Sequence, residues 1–131
     1  MEGIRPRMDT RSKILSVAAA LELQPPVALV TGYFDVLHAG DARELARVRH
    51  HPLLVVVLPV ADEILPPRAR AEMVAALRMV DYVVIANYGG LDRLVEALKP
   101  VEYTRMEGEH ALRRERWRQQ LMEHVDRRHI N

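Results

Sequence analysis

A short segment between an apolar run and a helical pattern carries the residues most able to do chemistry. In residues 31–41, Gly32 directly follows an apolar run, and His38 comes just before a helical pattern. A glycine after a buried strand lets backbone approach a polyphosphate, and the free N–H groups of the next helix attract anions. His38 could donate a hydrogen bond to an α-phosphate whose negative charge grows during attack. The segment therefore predicts a phosphate site.

The elements around this segment alternate between apolar runs and helical periodicity. Strands are predicted at 27–31, 53–58, 82–86 and 101–104, and helices at 14–21, 39–49, 69–80, 91–98 and 109–128. Such alternation with right-handed crossovers predicts a Rossmann-like, doubly wound parallel sheet of four or five strands in a three-layer α/β/α arrangement. These sheets bind ligands beyond the carboxyl ends of their strands, so the segment after the first predicted strand is the expected site.

Size and composition limit the classes of protein that fit. At 131 residues the chain predicts a flexible tail at 1–12 and one domain at 13–131, ending in a charged amphipathic helix. The absence of cysteine excludes disulfides, thiolate catalysis and cysteine metal sites. A net charge of +1 and six aromatic residues do not indicate a nucleic-acid partner. Without an apolar run suited to a signal peptide or a bilayer, a cytoplasmic protein is expected.

The segment at 31–41, TGYFDVLHAGD, resembles the G-x-F-D-x-x-H-x-G-H signature of the cytidylyltransferase-like nucleotidyltransferases. The similarity is greatest to sugar-phosphate and glycerol-phosphate members, and it continues through RAEMVAALRMVDYVV at 70–84. It implies transfer of CMP or AMP from CTP or ATP, with Mg²⁺, to a phosphorylated sugar or alcohol, release of pyrophosphate, and a homodimer. The catalytic residues implied are His38, Asp41 and Arg49, and the nucleotide-binding residues are Thr31, Gly32, Tyr33, Phe34, Asp35, Gly40 and Arg70.

Several of these residues have a second, structural interpretation. Asp35 could cap the N–H groups of a turn, and Phe34 could belong to the core. Arg49 replaces a common phosphate-binding lysine of the family, but an arginine near a helix C-terminus also suits the helix dipole. The adjacent His50 and His51 more readily end a helix than bind a metal, because their side chains diverge.

Asp41 is the first departure from the family pattern, which has histidine at this position. Residues three apart on a helix share a face, so the carboxylate is expected to point toward the same phosphates as His38. At ~4 Å the repulsion would be about 1 to 4 kcal/mol unless Mg²⁺ or another cation intervenes. Asp41 therefore either stabilises the helix N-terminus, marks a lost or altered activity, or contributes to a metal site.

The second departure is at the C-terminal end, where the family has a Ser/Thr-rich phosphate motif. This chain has no serine after Ser16 and no threonine after Thr104. Its last predicted helix instead carries Trp117, Leu121 and Val125 on one side. Half of the nucleotide site is then expected to be absent unless this helix or a partner subunit replaces it. The alternatives to an active enzyme are a degenerate nucleotide- or phosphate-binding protein and an oligomeric interaction module.

Overall fold

The computed structural model describes residues 9–48 and 50–129, the last four of these by backbone alone. Its strands are β1 (Ile14–Leu15), β2 (Ala28–Gly32), β3 (Leu53–Val57), β4 (Tyr82–Ile85) and β5 (Glu102–Arg105). Its helices are α1 (Val17–Ala20), α2 (Ala39–Arg47), α3 (Pro67–Ala75), α4 (Tyr88–Leu98) and α5 (Glu107–His129), after a 3₁₀ turn at Thr10–Lys13. All strand pairs are parallel, in the order β1-β4-β3-β2-β5. The predicted three-layer parallel fold is confirmed.

Two of the sequence predictions fall partly or wholly on residues outside the described ranges. Arg49, the expected phosphate-binding cation, is one of them. The other is the N-terminal tail, of which residues 1–8 lie outside and residues 9–12 lead into the first 3₁₀ turn. In the described part of the chain, no helix is both long enough and apolar enough to cross a bilayer.

The two faces of the sheet are covered by separate hydrophobic clusters. Every residue of β2 and β3 is buried, as expected for central strands with helices on both sides. On one face, Leu45 of α2 and Val74 of α3 pack on the sheet. On the other face, Ala20 of α1 and Leu94 of α4 do so. This arrangement puts β2 in the interior, between β3 and β5.

The prediction of a helix from residue 14 was wrong. Ile14 and Leu15 form the edge strand β1 and pair with Val83 and Val84 of β4. The helical residues begin only after Ser16, whose hydroxyl accepts a hydrogen bond from Ala19 N at 3.1 Å. Apolar residues at helical spacing can equally face a sheet, and the open edge of β4 offers backbone partners that a short helix lacks.

The sheet reverses its direction of growth between β2 and β5. The chain passes from β2 through β3 to β4 on one side and then returns to β5 on the other side. The crevice beyond the carboxyl ends of these two strands is the usual ligand position in such sheets. Met106 N donates to Thr31 O at 2.8 Å, which brings the start of α5 to the end of β2.

Candidate functional site

The loop after β2 is wrapped around an imidazole ring that comes from α5. His110 Nδ1 accepts hydrogen bonds from Tyr33 N at 3.0 Å and Phe34 N at 3.3 Å. A Cβ atom on Gly32 would lie 2.6 Å from His110 Cε1, so only glycine admits the ring so close. The close backbone approach that the sequence suggested for a polyphosphate is therefore used by His110 in this structure.

Phe34 belongs to the core, as its structural interpretation anticipated. It is 1% exposed, and its ring meets His110 edge to face with centroids 4.6 Å apart. Its φ of 48° lies in the left-handed region, which is unfavourable for a bulky residue. The loop keeps this conformation while its two amides point at the imidazole. The ring of Phe34 thus helps fix the loop and contacts no open cavity.

The Asp41 side chain points into the protein toward α5, whereas its helical spacing had predicted that it faces the same phosphates as His38. Its side chain is fully buried and accepts four hydrogen bonds. One comes from His110 Nε2 at 3.0 Å, two from the Arg113 guanidinium at 2.9 Å each, and one from His38 N at 3.0 Å. The donors on α5 turn the carboxylate away from the solvent side of α2.

These contacts fix the protonation of the Asp41 cluster. Burial alone would raise the pKa of Asp41, but hydrogen bonds from His110, Arg113 and His38 N outweigh it and hold that pKa well below its usual range. Because Nδ1 of His110 accepts two N–H groups, the ring proton belongs on Nε2, where it is donated to Asp41. The result is a carboxylate paired with one guanidinium and a neutral imidazole.

His38 and Gly40 lie at the exposed N-terminus of α2, as predicted. His38 is the N-cap residue, and Gly40 is in the first turn, where N–H groups have no partner within the helix. His38 borders a cavity of about 370 Å³ beyond the end of β2. Other residues around this cavity include Val36, Ile64, Arg113, Arg114 and Trp117.

Thr31 and Asp35 hold the backbone around this cavity. The buried Thr31 hydroxyl donates to Glu107 at the start of α5. Asp35 accepts hydrogen bonds from Ile64 N at 2.9 Å and Leu65 N at 2.9 Å, about 30 residues away, and not from the N–H groups of its own turn that its structural interpretation predicted. Both side chains thus connect the loop after β2 to neighbouring segments.

Arg70 and Tyr33 are the remaining residues that the family resemblance implied. Arg70 has no exposed surface and does not border the cavity. Its guanidinium donates hydrogen bonds to Glu63 and to the carbonyl oxygens of Tyr33, Leu58 and Leu65. Tyr33 borders the cavity, and its hydroxyl lies 3.4 Å from that of Tyr88. Contact with Tyr33 and partial burial raise the pKa of Tyr88 to about 12. The Tyr88 hydroxyl therefore stays protonated at neutral pH.

Sequence reasoning missed the cavity residues of α5. His110, Arg113, Arg114 and Trp117 follow one another at intervals of three, one and three residues, which places them on one helix face. That spacing was visible in the sequence, but the helix was predicted from its apolar residues Trp117, Leu121 and Val125. The part of the molecule that this face would cover was not visible, because it depends on how α5 packs after β5.

The chain is similar to parts of two kinds of curated protein, although no family model matches it. The bifunctional protein HldE of Helicobacter pylori strain ATCC 700392 / 26695 is 32% identical over 105 residues, which is 70% of this chain and 23% of HldE. The FAD synthases of Methanohalophilus mahii and Methanothrix thermoacetophila are each 34% identical over 80 residues, or 55% of this chain and 56% of theirs.

These matches cover only part of each relative. The chain spans about a quarter of the length of the HldE sequence and just over half of the FAD synthases. The similarity supports a nucleotidyltransferase-like function for the domain.

Proposed function

We propose that this domain binds a nucleoside triphosphate, CTP or ATP, and transfers CMP or AMP to a phosphorylated sugar or alcohol. The observation that carries the proposal is His38 at the open first turn of α2, bordering a cavity of about 370 Å³ just past the central strand β2. The N–H groups of this turn and the imidazole are donors suited to phosphate oxygens. Similarity to HldE and FAD synthase supports the same chemistry.

The proposed reaction is a direct in-line displacement at the α-phosphate. A phosphate oxygen of the acceptor forms a new bond to the α-phosphorus, and the bond to the bridging oxygen of pyrophosphate breaks. Pyrophosphate leaves with the electron pair. His38 and the first N–H groups of α2 stabilise the charge that grows on the α-phosphate oxygens. Arg113, 31% exposed at its side chain, borders the cavity while it pairs with Asp41, and its remaining N–H groups are available as donors.

Mg²⁺ is implied by the family resemblance, and the protein side chains do not build a site for it. Asp35 lines the cavity and Asp41 is bonded to two of its lining residues, and both carboxylates already accept hydrogen bonds from the protein. No group of three metal-binding side chains occurs within residues 9–48 and 50–125. Mg²⁺ would therefore arrive with the triphosphate, and the proposed roles of His38 and Arg113 do not depend on it.

The paired state of Asp41 changes its expected effect on binding. Arg113 neutralises the carboxylate and His110 hydrogen-bonds it, so the repulsion of a triphosphate that the sequence suggested is largely removed. The family's second histidine is nevertheless missing as a donor. A lost donor of this kind costs about 2.7 to 4 kcal/mol of transition-state stabilisation.

A second candidate function is nucleotide or phosphate binding without turnover. It is favoured by His110, because its Nδ1 occupies the amides of Tyr33 and Phe34 that would otherwise face an anion. A bound triphosphate would then be held by fewer donors than a reacting one requires.

The homodimer implied by the resemblance stays a prediction. A measurement of the protein's mass in solution tests it.

Calorimetry with CTP and ATP tests binding, and the variant His38→Ala tests its location. We expect the dissociation constant to rise about ten- to hundredfold, because a hydrogen bond to a charged group is lost. His124→Ala removes an exposed histidine of α5 outside the cavity and serves as the matched control. Equal affinity of His38→Ala and the unaltered protein would contradict the proposed site.

Pyrophosphate release with sugar-phosphate and glycerol-phosphate acceptors separates the two candidate functions. If the domain catalyses transfer, His38→Ala should lower the rate constant about 10²- to 10³-fold, as expected for loss of a donor to developing charge. Binding of CTP or ATP with no pyrophosphate release from any acceptor would instead support the second candidate.

A further inference from the structure

We propose that Trp117 stacks on the base of the nucleotide whose phosphates bind beside His38; this role rests on the proposed function. The cavity of about 370 Å³ is bordered by three large apolar side chains that are only half covered. Their exposed fractions are 47% for Val36, 51% for Ile64 and 54% for Trp117. Apolar surface of this kind, gathered at one cavity, is typical of a ligand site.

The apolar part of the cavity is held open by contacts on both sides. Asp35 fixes the backbone N–H groups of Ile64 and Leu65. Arg114 of α5 donates to the carbonyl oxygens of Ala61 and Asp62 in the same loop. The loop with Ile64 and the helix with Trp117 are thus tied together, so the space between them exists before a ligand enters.

The position of Trp117 relative to His38 is fixed by α5. Trp117 lies four residues after Arg113 and seven after His110, which places all three on one helix face. Arg113 and His110 are both bonded to Asp41 of α2, and α2 begins at His38. The indole therefore belongs to the same rigid unit as the proposed phosphate site.

The combination of chemical groups selects one class of ligand. His38 and Arg113 supply donors for an anion, whereas Val36, Ile64 and Trp117 present mainly apolar surface. A nucleotide has both parts, a phosphate chain and a flat aromatic base. A free phosphate or a simple sugar phosphate would leave the apolar surface uncovered. Every base has a π-face, so an exposed indole accepts either a pyrimidine or a purine.

The test uses the fact that Trp117 is the single tryptophan of the chain, so intrinsic tryptophan fluorescence reports on this cavity. We expect CTP and ATP to change this fluorescence and inorganic tripolyphosphate, which has no base, to leave it nearly unchanged. Trp117→Ala should raise the dissociation constants of CTP and ATP about tenfold or more, within the range for loss of a base–aromatic stack. Its affinity for tripolyphosphate should stay the same.

Two further variants serve as controls. Trp117→Phe keeps an aromatic ring and should retain most of the affinity for CTP and ATP. Leu121→Ala removes an apolar side chain, 48% exposed, from the same helix but outside the cavity, and should change neither affinity. Circular dichroism of each variant checks that α5 is still formed.

The outcomes distinguish this proposal from the proposed function. Calorimetric CTP binding that is weakened by His38→Ala but not by Trp117→Ala would overturn the stacking role and leave the phosphate site standing. Absence of CTP and ATP binding would overturn both. A Trp117→Ala variant whose mass in solution falls, with nucleotide affinity unchanged, would assign the indole to a contact between copies and also overturn the proposal.

Discussion

Arg70 was implied as a nucleotide-binding residue, but its surroundings in the structure give it a structural role. Its guanidinium donates to the carbonyl oxygens of Leu58, Tyr33 and Leu65 at 2.9, 2.9 and 3.1 Å and to Glu63 at 3.0 Å. The side chain has no exposed surface, so its charge is stabilised only by these four acceptors. Arg70 therefore supports the loop that carries one wall of the cavity.

We expect Arg70→Lys to lower the free energy of unfolding by about 3 kcal/mol, because an ammonium group cannot reach the acceptors that the planar guanidinium spans. Urea denaturation measures this change. Arg68→Lys alters a half-exposed arginine on the same helix and should change stability by no more than about 0.5 kcal/mol. If Arg70→Lys kept its stability but lost triphosphate binding, Arg70 would be a ligand contact and not a support of the loop.

At the scale of elements, α5 is the part that turns the loop after β2 into a cavity. Its first turns are anchored by Glu107 on Thr31, by His110 on the loop amides and by Arg113 on Asp41. Farther along, Leu121 and other apolar residues of the helix remain exposed. The anchored part of α5 covers the predicted phosphate segment. The helix therefore occupies a part of the site for which the sequence offered no phosphate-binding motif.

We expect Gly32→Ala to dislodge the start of α5. The new methyl group would lie 2.6 Å from His110 Cε1 and 2.7 Å from the ring of Phe34, and both rings are buried. Overpacking of this kind should cost about 2 kcal/mol, measured by thermal or urea unfolding, and should speed proteolytic cleavage within α5.

Gly108→Ala is the matched control for this element. Apart from its chain neighbours and the backbone of α5 itself, no described atom lies within 4 Å of a Cβ at that position, in the first turn of the helix. Stability should stay the same or rise by up to about 1 kcal/mol, because alanine favours the helix. Equal stability of Gly32→Ala and Gly108→Ala would show that His110 does not depend on the space left by Gly32.

For the molecule as a whole, Asp41 links elements that the chain order keeps far apart. It joins α2 to α5 across a separation of 69 residues to His110 and 72 to Arg113. Its pKa is held below the usual range, so the carboxylate is charged in the folded protein over the whole neutral and mildly acidic range. Protonation of Asp41 opposes folding, since the neutral acid loses the pairing with Arg113.

A lowered folded-state pKa gives stability that is present above the unfolded value of about 4 and is lost as the pH falls below it. We expect Asp41→Asn to cost about 3 kcal/mol at neutral pH, as for breaking a buried ion pair, and to flatten the decline of stability between about pH 4 and pH 2. The free energy of unfolding as a function of pH measures both effects.

Asp92→Asn, at an exposed position of α4, is the control for general loss of an acidic charge. It should leave the acid dependence almost unchanged. If Asp41→Asn and the unaltered protein lose stability in parallel below pH 4, the pairing of Asp41 does not set the acid limit of the fold.

The sequence by itself determined the parallel three-layer fold, and it predicted the loop after β2 as the position of the site. Fully apolar runs such as the one in β3 occur where both faces of a strand are buried, and Gly32 followed by a helix start at His38 marks the end of the central strand. These are local patterns with few alternative structures. They also sufficed to predict that Phe34 is buried, but not that Asp35 bonds the distant loop at Ile64 and Leu65.

Only the tertiary structure decided which charges and rings meet at that site. The partners of Asp41, the burial of Arg70 and the cavity beside Trp117 all depend on contacts between residues far apart in the chain. Helix periodicity shows which residues of α5 share a face, but not what that face covers. The packing of whole elements sets those contacts, so Asp41, expected to face a phosphate, instead pairs with Arg113.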